Sequence, residues 1–248
     1  MKRTSDAFAA RVAYDGTGYY GFQRQKAGTP TVQAVLEAAL AELAGEPVGL
    51  KAAGRTDAGV HATGQVIAFA LAWKHSMPSL RGALNARLPD DVVVRAVWPS
   101  SLHPRFDATL RRYVYRVYHA PVPDPLRRHR AWWLASPVDL TTLHAAAAML
   151  VGEHDFRSFG TPPVGTITIR RVQEAFWEPA PNGELRFTIA ANAFLYRMVR
   201  RIVGASVAVG QGRMRMDDFH ARIHAPDSKL VTAMAPAHGL TLVDVEYD

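Results

Sequence analysis

Cysteine is absent from the chain: none of its 248 residues can form a disulfide or supply a thiolate to a metal. The absence is compatible with a reducing compartment. The chain also has no apolar run of about eighteen residues, and charge returns within residues 1–6, too early for a signal peptide. We therefore expect a cytoplasmic protein that neither spans nor binds a membrane.

Motifs of several common enzyme classes are missing as well. No H-E-x-x-H, Walker A or G-x-S-x-G pattern occurs, and the ten histidines show no metal-ligand spacing. We expect no catalytic metal, and we expect His61 to order its loop or to face solvent. The RNP1 signature of RNA recognition motifs is absent too.

One glycine pattern matches a cofactor motif, but its context argues against that function. Residues 16–21 read G-x-G-x-x-G after a predicted strand, as a dinucleotide-binding loop requires. No helix opens at the third glycine, because polar residues and Pro30 intervene. The acids at a suitable distance, Glu37 and Glu42, fall within a predicted helix. We interpret this segment as a flexible loop, although core packing could equally explain its aromatic residues. Its candidate RNA contacts are Tyr19, Tyr20, Phe22, Arg24 and Lys26.

Positive charge is what the chain has in excess. Its formal net charge is +7, and residues 105–130 contain seven arginines against two aspartates. The planar guanidinium suits bidentate phosphate contacts and stacking on bases. A solvated basic surface is the ordinary alternative. Aromatic residues interleave with the arginines over residues 111–118, however, and this favours nucleic acid as the partner.

The apolar pattern of the first half predicts strands and helices in the order β-α-β-β-α-β. Proline at the first helical position is expected to start one helix at Pro30, and Pro78 begins the second. The predicted strands are residues 8–14, 48–53, 65–71 and 91–98, and the second helix is 78–88.

The second half repeats this order, with Asp139 as the N-cap of its first helix. Its predicted strands are residues 111–119, 166–177, 185–191 and 241–247, and its helices are 139–151, 193–209 and an inserted 216–224. Both halves fit an α+β fold of two ferredoxin-like (split βαβ) lobes, with antiparallel sheets and helices on one face. The predicted lobes are residues 1–108 and 109–248, with an active-site cleft between them.

Residues 54–61 display one carboxylate, Asp57, between two apolar runs. Flanking glycines let the backbone turn sharply and approach a ligand closely. Arg55 could keep the acid ionised by charge pairing. The Asp-X-Gly sequence is also ordinary turn chemistry, and from the local sequence alone this interpretation is at least as well supported as a catalytic acid.

Three arginines lie on the predicted helix 193–209. Arg197 and Arg201 share one face by i,i+4 spacing, and we expect both in solvent or on phosphate. Arg200 lies closer to the apolar side, where an unpaired guanidinium is unfavourable by several kcal/mol or more. It therefore needs an anionic partner, which could be Asp57 or any other acid.

Seven sequence blocks resemble those of the tRNA pseudouridine synthase A family, in that family's order and over nearly the whole chain. They are YDG (14–16), YGFQRQ (20–25), TVQ (31–33), GRTDAGVHA (54–62), RFDA (105–108), RYVY (112–115) and NAFLYRMVR (192–200). The resemblance implies isomerisation of uridine to pseudouridine at positions 38 to 40 of the tRNA anticodon stem-loop, without cofactor or metal, by a homodimer.

The resemblance also assigns roles to residues. Asp57 is the nucleophile, which attacks C1′ or C6 or promotes a glycal route, and Arg200 is its ion-pair partner. Tyr113 contacts the extruded uracil, and Arg55 borders the space for the flipped base. The arginine-rich surface and basic loop suggest further tRNA contacts: Arg24, Lys26, Arg111 and Arg112. The alternative is a non-catalytic RNA-binding or tRNA-folding protein on the same scaffold.

Overall fold

The computed structural model of the protein describes residues 6–227 and 229–248. Residues 1–5, part of the segment in which we expect no signal peptide, lie outside this range. The strands are β1 Asp6–Tyr14, β2 Leu50–Ala52, β3 His61–Leu71, β4 Val92–Pro99, β5 Ala108–His119, β6 Trp132–Leu134, β7 Gly152–Asp155, β8 Ile169–Ala180, β9 Glu184–Ala191 and β10 Leu240–Tyr247. The α-helices within these residues are α1 Val32–Ala44, α2 Met77–Asn85, α3 Leu140–Ala148, α4 Met198–Gly210 and α5 Met216–His224.

The fold is thus a mixture of α-helices and mostly antiparallel strands, in two compact units. The first unit runs up to Thr109 and includes Leu242–Asp248, and the second is Leu110–Thr241. The predicted second lobe, residues 109–248, contains the C-terminal strand, whereas most of β10 belongs to the first unit. No helix in the described ranges combines the length and apolar character that a membrane span requires.

In the first unit the strands lie in the order β4-β1-β3-β10, and β2 adds to β3. The pairs of β1 with β3 and with β4 are antiparallel. Helix α1 buries Val32, Leu36 and Leu40, whose spacing places them on one face. Its N-cap is Thr31, whose hydroxyl accepts the Ala34 amide. The prediction that Pro30 is the first helical residue is therefore wrong by two positions.

In the second unit the strands lie in the order β5-β9-β8-β7, all antiparallel, and β6 pairs in parallel with β5. Asp139 caps α3 as predicted, because its carboxylate accepts the Thr142 amide at 2.8 Å. Large side chains fill the core of this unit, among them Tyr115, Trp177 and Phe187.

Helix α4 begins at Met198, five residues later than predicted. Residue Arg197 is its N-cap and has a left-handed backbone, with φ 62° and ψ 12°. A residue in this conformation cannot continue a right-handed helix. The preceding segment instead forms a single antiparallel bridge between Tyr196 and Thr161. The prediction that Arg197 and Arg201 share a helix face is therefore wrong, because Arg197 lies outside the helical turns.

Candidate active site

The Asp57 loop, residues 54–60, connects β2 to β3 and contains a tight turn. The Val60 amide donates to the Asp57 carbonyl at 3.1 Å. Gly59 has φ 78°, in a region of backbone conformation that favours glycine, so the turn requires glycine at this position. The turn interpretation of Asp-X-Gly is thus confirmed for the backbone, while the Asp57 side chain remains half-buried at the surface of the unit.

Segment 14–22 holds the Asp57 loop at one residue before Asp57 and one residue after it, Thr56 and Gly59. The hydroxyls of Tyr14 and Thr56 are 2.8 Å apart. The Phe22 amide donates to the Thr56 carbonyl at 3.0 Å, and the Gly59 amide donates to the Tyr19 carbonyl at 3.4 Å. These bonds fix the backbone on each side of Asp57, so its carboxylate is displayed from a preorganised position.

The G-x-G-x-x-G segment explains part of this close packing. A Cβ atom on Gly16 would lie 2.0 Å from the Val60 carbonyl oxygen, so only glycine fits. The Gly16 amide donates to His61 Nδ1 at 3.0 Å, and His61 is buried. The expectation that His61 orders its loop is confirmed. The segment thus packs closely against the Asp57 loop at Gly16.

Gln65 on β3 clamps the opposite end of the loop. Its Nε2 donates to the Gly54 carbonyl at 2.8 Å, and its Oε1 accepts the Gly54 amide at 3.2 Å. The Gln65 side chain is fully buried, so both polar ends of its amide are paired as burial demands. The role of Gln65 was not predictable, since a lone glutamine at the start of an apolar run carries no distinctive signal.

Burial raises the pKa of Tyr14 to about 12, although its hydrogen bonds to Thr56 and Gln65 act in the opposite direction. The ordinary value is 10.0, so the folded state resists ionisation of this phenol. A group whose pKa is raised on folding contributes its full stabilisation below the unfolded pKa and loses it as pH rises toward the folded pKa. The loop anchor is therefore sensitive to alkali.

We expect the wild-type protein to lose about 2 to 3 kcal/mol of its free energy of unfolding through Tyr14 between about pH 10 and pH 12. The Tyr14→Phe variant cannot ionise there, so the stability difference between wild type and variant reverses over this interval, and by about pH 12 the variant is the more stable by about 1 to 2 kcal/mol. At neutral pH the variant is less stable by about 1 kcal/mol, because Thr56 loses a partner. Urea unfolding at a series of pH values measures both effects. A difference that stays constant above pH 10 would contradict the assignment.

Two further candidate residues lie in the second unit. Tyr113 is on β5, where it pairs with Ile189 of β9, and it is half-buried. Its ring meets the Phe194 ring edge to face, with centroids 5.1 Å apart. Phe194 lies in the segment before α4 that was predicted to be helical, so this irregular segment positions the Tyr113 ring.

Arg200 is in the first turn of α4 and is tied to residue Ala235 twice. Its Nε donates to the Ala235 carbonyl at 2.9 Å, and the Ala235 amide donates to the Arg200 carbonyl at 2.9 Å. This pairing fixes the plane of the guanidinium. The planar guanidinium fork of an arginine suits bidentate contact with a carboxylate.

The residues suggested as further tRNA contacts differ in their surroundings. Lys26 is exposed, and exposed Arg24 forms an ion pair with Glu37. Arg111 is buried, and its guanidinium donates to the Asn192 carbonyl at 2.7 Å. Arg112 donates from Nε to Glu174 at 2.6 Å. Arg55, two residues before Asp57, is exposed. Arg111 and Arg112 are thus held by partners within the second unit, and both stay predicted tRNA contacts.

The aromatics of the first basic loop divide between core and surface. Tyr19 and Phe22 are buried, whereas Tyr20 is 64% exposed. Core packing thus explains two of the three aromatics whose role the sequence left open. Among residues 6–227 and 229–248, no group of three or more histidine, cysteine, aspartate or glutamate side chains is arranged to hold a metal ion.

Sequence comparison finds similarity along the whole chain. It matches the family described as tRNA pseudouridine synthase over residues 10–107 and 146–248. A tRNA pseudouridine synthase A of Neisseria meningitidis serogroup C (strain 053442) is 41% identical, over 97% of this chain and 91% of its own length. Proteins of the same name from Pseudothermotoga lettingae and Caulobacter vibrioides are 40% and 39% identical, over 100% and 95% of this chain and 100% and 96% of their own. The family match includes Asp57 and Arg200, whereas Tyr113 falls between its two ranges.

Proposed function

Since the chain belongs to the tRNA pseudouridine synthase family, we propose that it isomerises uridine to pseudouridine in tRNA, at positions 38 to 40 of the anticodon stem-loop. In this reaction the N1–C1′ bond breaks and a C5–C1′ bond forms. The C5 proton is lost and N1 gains a proton, so the product has the same atoms as the substrate. The observation that carries the proposal is the immobilised Asp57 loop within the matched family range.

Asp57 is the proposed nucleophile. A carboxylate attacks only when it is ionised and held in place, and hydrogen bonds on both sides of Asp57 hold its backbone. Attack at C1′, attack at C6 and a glycal route all use this same carboxylate. The target nucleotide must first leave the helical stack, which requires a few kcal/mol.

Arg200 is the proposed charge partner of Asp57. A guanidinium close to a carboxylate favours its ionised form. Support for the proposal comes from the orientation of Arg200, whose Nε is committed to the Ala235 carbonyl. Arg55 is proposed to border the flipped base, and exposed Lys26 and Arg24 to contact tRNA phosphates.

Tyr113 is the proposed contact for the flipped uracil, by stacking of its ring. We expect Tyr113→Phe to bind tRNA within about twofold of wild type, because the stacking ring remains, and Tyr113→Ala to bind roughly tenfold more weakly. Filter binding measures these affinities, and single-turnover kinetics measure the chemical step. Loss of turnover in Tyr113→Phe at unchanged affinity would assign the phenol a role in proton removal from C5. Equal affinities of the Phe and Ala variants would contradict the stacking role.

The finer architecture is part of the proposal. Two ferredoxin-like lobes, drawn at 1–108 and 109–248, would present Asp57 from the first and Tyr113 and Arg200 from the second, in a cleft between them. A cytoplasmic homodimer is the expected assembly. These features rest on the sequence pattern and on the resemblance, and the oligomeric state is measurable by light scattering.

The decisive experiment incubates the purified protein with unmodified tRNA, without added metal or cofactor, and maps pseudouridine by carbodiimide modification and primer extension. We expect modification at one or more of positions 38 to 40. Pseudouridine at none of these positions would refute the proposal. Binding of tRNA without any modification would instead support the alternative of a non-catalytic RNA-binding protein.

A further inference from the structure

Phe106 exposes an aromatic ring on the segment between β4 and β5. The side chain is 75% exposed, although burial of such a ring normally contributes about 1.5 to 3 kcal/mol. An isolated exposed apolar side chain requires no explanation. Phe106 is different, because its backbone and its ring are both held by neighbouring residues.

The backbone of residues 103–107 forms a preformed turn. The amides of Phe106 and Asp107 both donate to the His103 carbonyl at 3.1 Å. The Asp107 carboxylate accepts the His103 amide at 2.7 Å, and the Tyr247 hydroxyl donates to the Pro104 carbonyl at 2.9 Å. Backbone hydrogen bonds and the Asp107 carboxylate thus close the turn, and Tyr247 ties it to β10. Little conformational entropy therefore remains to be lost when a ligand binds.

The ring of Phe106 is part of a stack. The His103 ring lies nearly parallel to it, with centroids 4.3 Å apart and planes at 28°. The Arg105 guanidinium carbon is 5.8 Å from the Phe106 centroid, within the range of a cation–π contact. The His103 ring therefore supports the Phe106 ring, while most of the Phe106 side chain still faces solvent.

We propose that Phe106, supported by His103 and Arg105, is a stacking platform for an unpaired base of tRNA. The proposal rests on the proposed function and adds to it a binding site outside the Asp57 loop. Base stacking on aromatic rings is the usual way in which proteins hold unpaired nucleotides. Charge favours RNA over a protein partner, because the Arg105 guanidinium lies at the ring and the chain has a formal net charge of +7. A paired base cannot reach the platform, so the ligand is the unpaired part of the molecule.

The test compares Phe106→Ala, Phe106→Trp and the control Leu126→Ala with wild type. Leu126 is 90% exposed but aliphatic, so its loss removes no stacking surface. The probes are a synthetic anticodon stem-loop and a fully paired hairpin, each titrated at several salt concentrations. We expect Phe106→Ala to bind the stem-loop roughly tenfold more weakly, and Phe106→Trp and Leu126→Ala to bind it as wild type does. Affinity for the paired hairpin should stay unchanged.

The salt dependence separates stacking from phosphate contacts. The slope of log affinity against log salt counts neutralised phosphates, so Phe106→Ala should keep the wild-type slope. Unchanged stem-loop affinity, an equal loss for both RNAs, or a reduced slope would each overturn the platform. A changed oligomeric state of Phe106→Ala would also overturn it and identify the ring as a contact between copies of the chain.

Failure of this inference is distinguishable from failure of the proposed function. If wild type forms no pseudouridine but Phe106→Ala selectively loses stem-loop affinity, the proposed activity is wrong and the platform stands. If wild type forms pseudouridine and Phe106→Ala binds both RNAs normally, the activity stands and the platform is wrong. Thermal unfolding of each variant verifies that the exposed substitution leaves the fold intact.

Discussion

The Asp57→Ala variant is expected to lose turnover by roughly 10⁴-fold or more while its affinity for tRNA stays within about threefold of wild type. Removal of the nucleophile eliminates the covalent or carboxylate-assisted step. Binding survives because phosphate contacts, which Asp57 does not make, dominate affinity for RNA. Single-turnover pseudouridine formation gives the rate, and filter binding gives the affinity.

Matched variants separate the loss of the nucleophile from a change in charge. Asp57→Asn keeps the shape of the side chain and should be as inactive as alanine. Asp90→Asn removes an exposed carboxylate in the same unit and should keep full activity. If Asp57→Asn or Asp57→Ala turned over at the wild-type rate, Asp57 would not be the nucleophile and the mechanism would have to begin from another group.

Gly16→Ala is expected to cause the largest structural effect. The added Cβ would lie 2.0 Å from the Val60 carbonyl oxygen and 2.6 Å from its carbon, and backbone atoms cannot move aside as a flexible side chain can. We expect a loss of about 2 to 4 kcal/mol in the free energy of unfolding. Because Val60 closes the turn that begins at Asp57, we also expect turnover to fall by roughly 10²-fold.

The same loop supplies the control for this prediction. A Cβ on Gly18 would meet no atom within 4 Å, so Gly18→Ala should change stability by no more than about 1 kcal/mol and in the stabilising direction. Urea unfolding of the two variants, with their single-turnover rates, completes the comparison. Equal stabilities for Gly16→Ala and Gly18→Ala would show that the two segments do not approach each other as described.

Regular periodicity made several elements predictable from sequence. Asp139 before an apolar helical repeat correctly predicted the cap of α3, and α5 has the predicted limits of residues 216 and 224. Helix α4 was predicted too long, because Phe194 and Leu195 continue its apolar spacing and the left-handed backbone of Arg197 has no local signal. Strand β7 was missed because its sequence, GEHD, does not alternate and its pairing comes from β8.

The sequence predicted the carboxylate of the candidate site and its turn, but not the residues that hold this turn in place. Gly59, two residues after Asp57, marks a turn by its own conformational requirement. The bonds that immobilise this turn come from residues distant in sequence, among them Tyr14 and Gln65. Local patterns do not encode such pairings. The same limit left open the placement of Phe22, whose burial depends on what the whole unit packs against it.

The place of β10 in the first unit has a consequence for how the protein is made. β10 is the neighbour of β3, and the two backbones approach so closely that a Cβ on Gly64 would be 2.1 Å from the Val243 carbonyl oxygen. A ribosome delivers this strand only after the entire second unit. The second unit, continuous in the chain, can therefore fold during synthesis. The sheet that contains β3 is therefore completed only after the whole second unit has been synthesised.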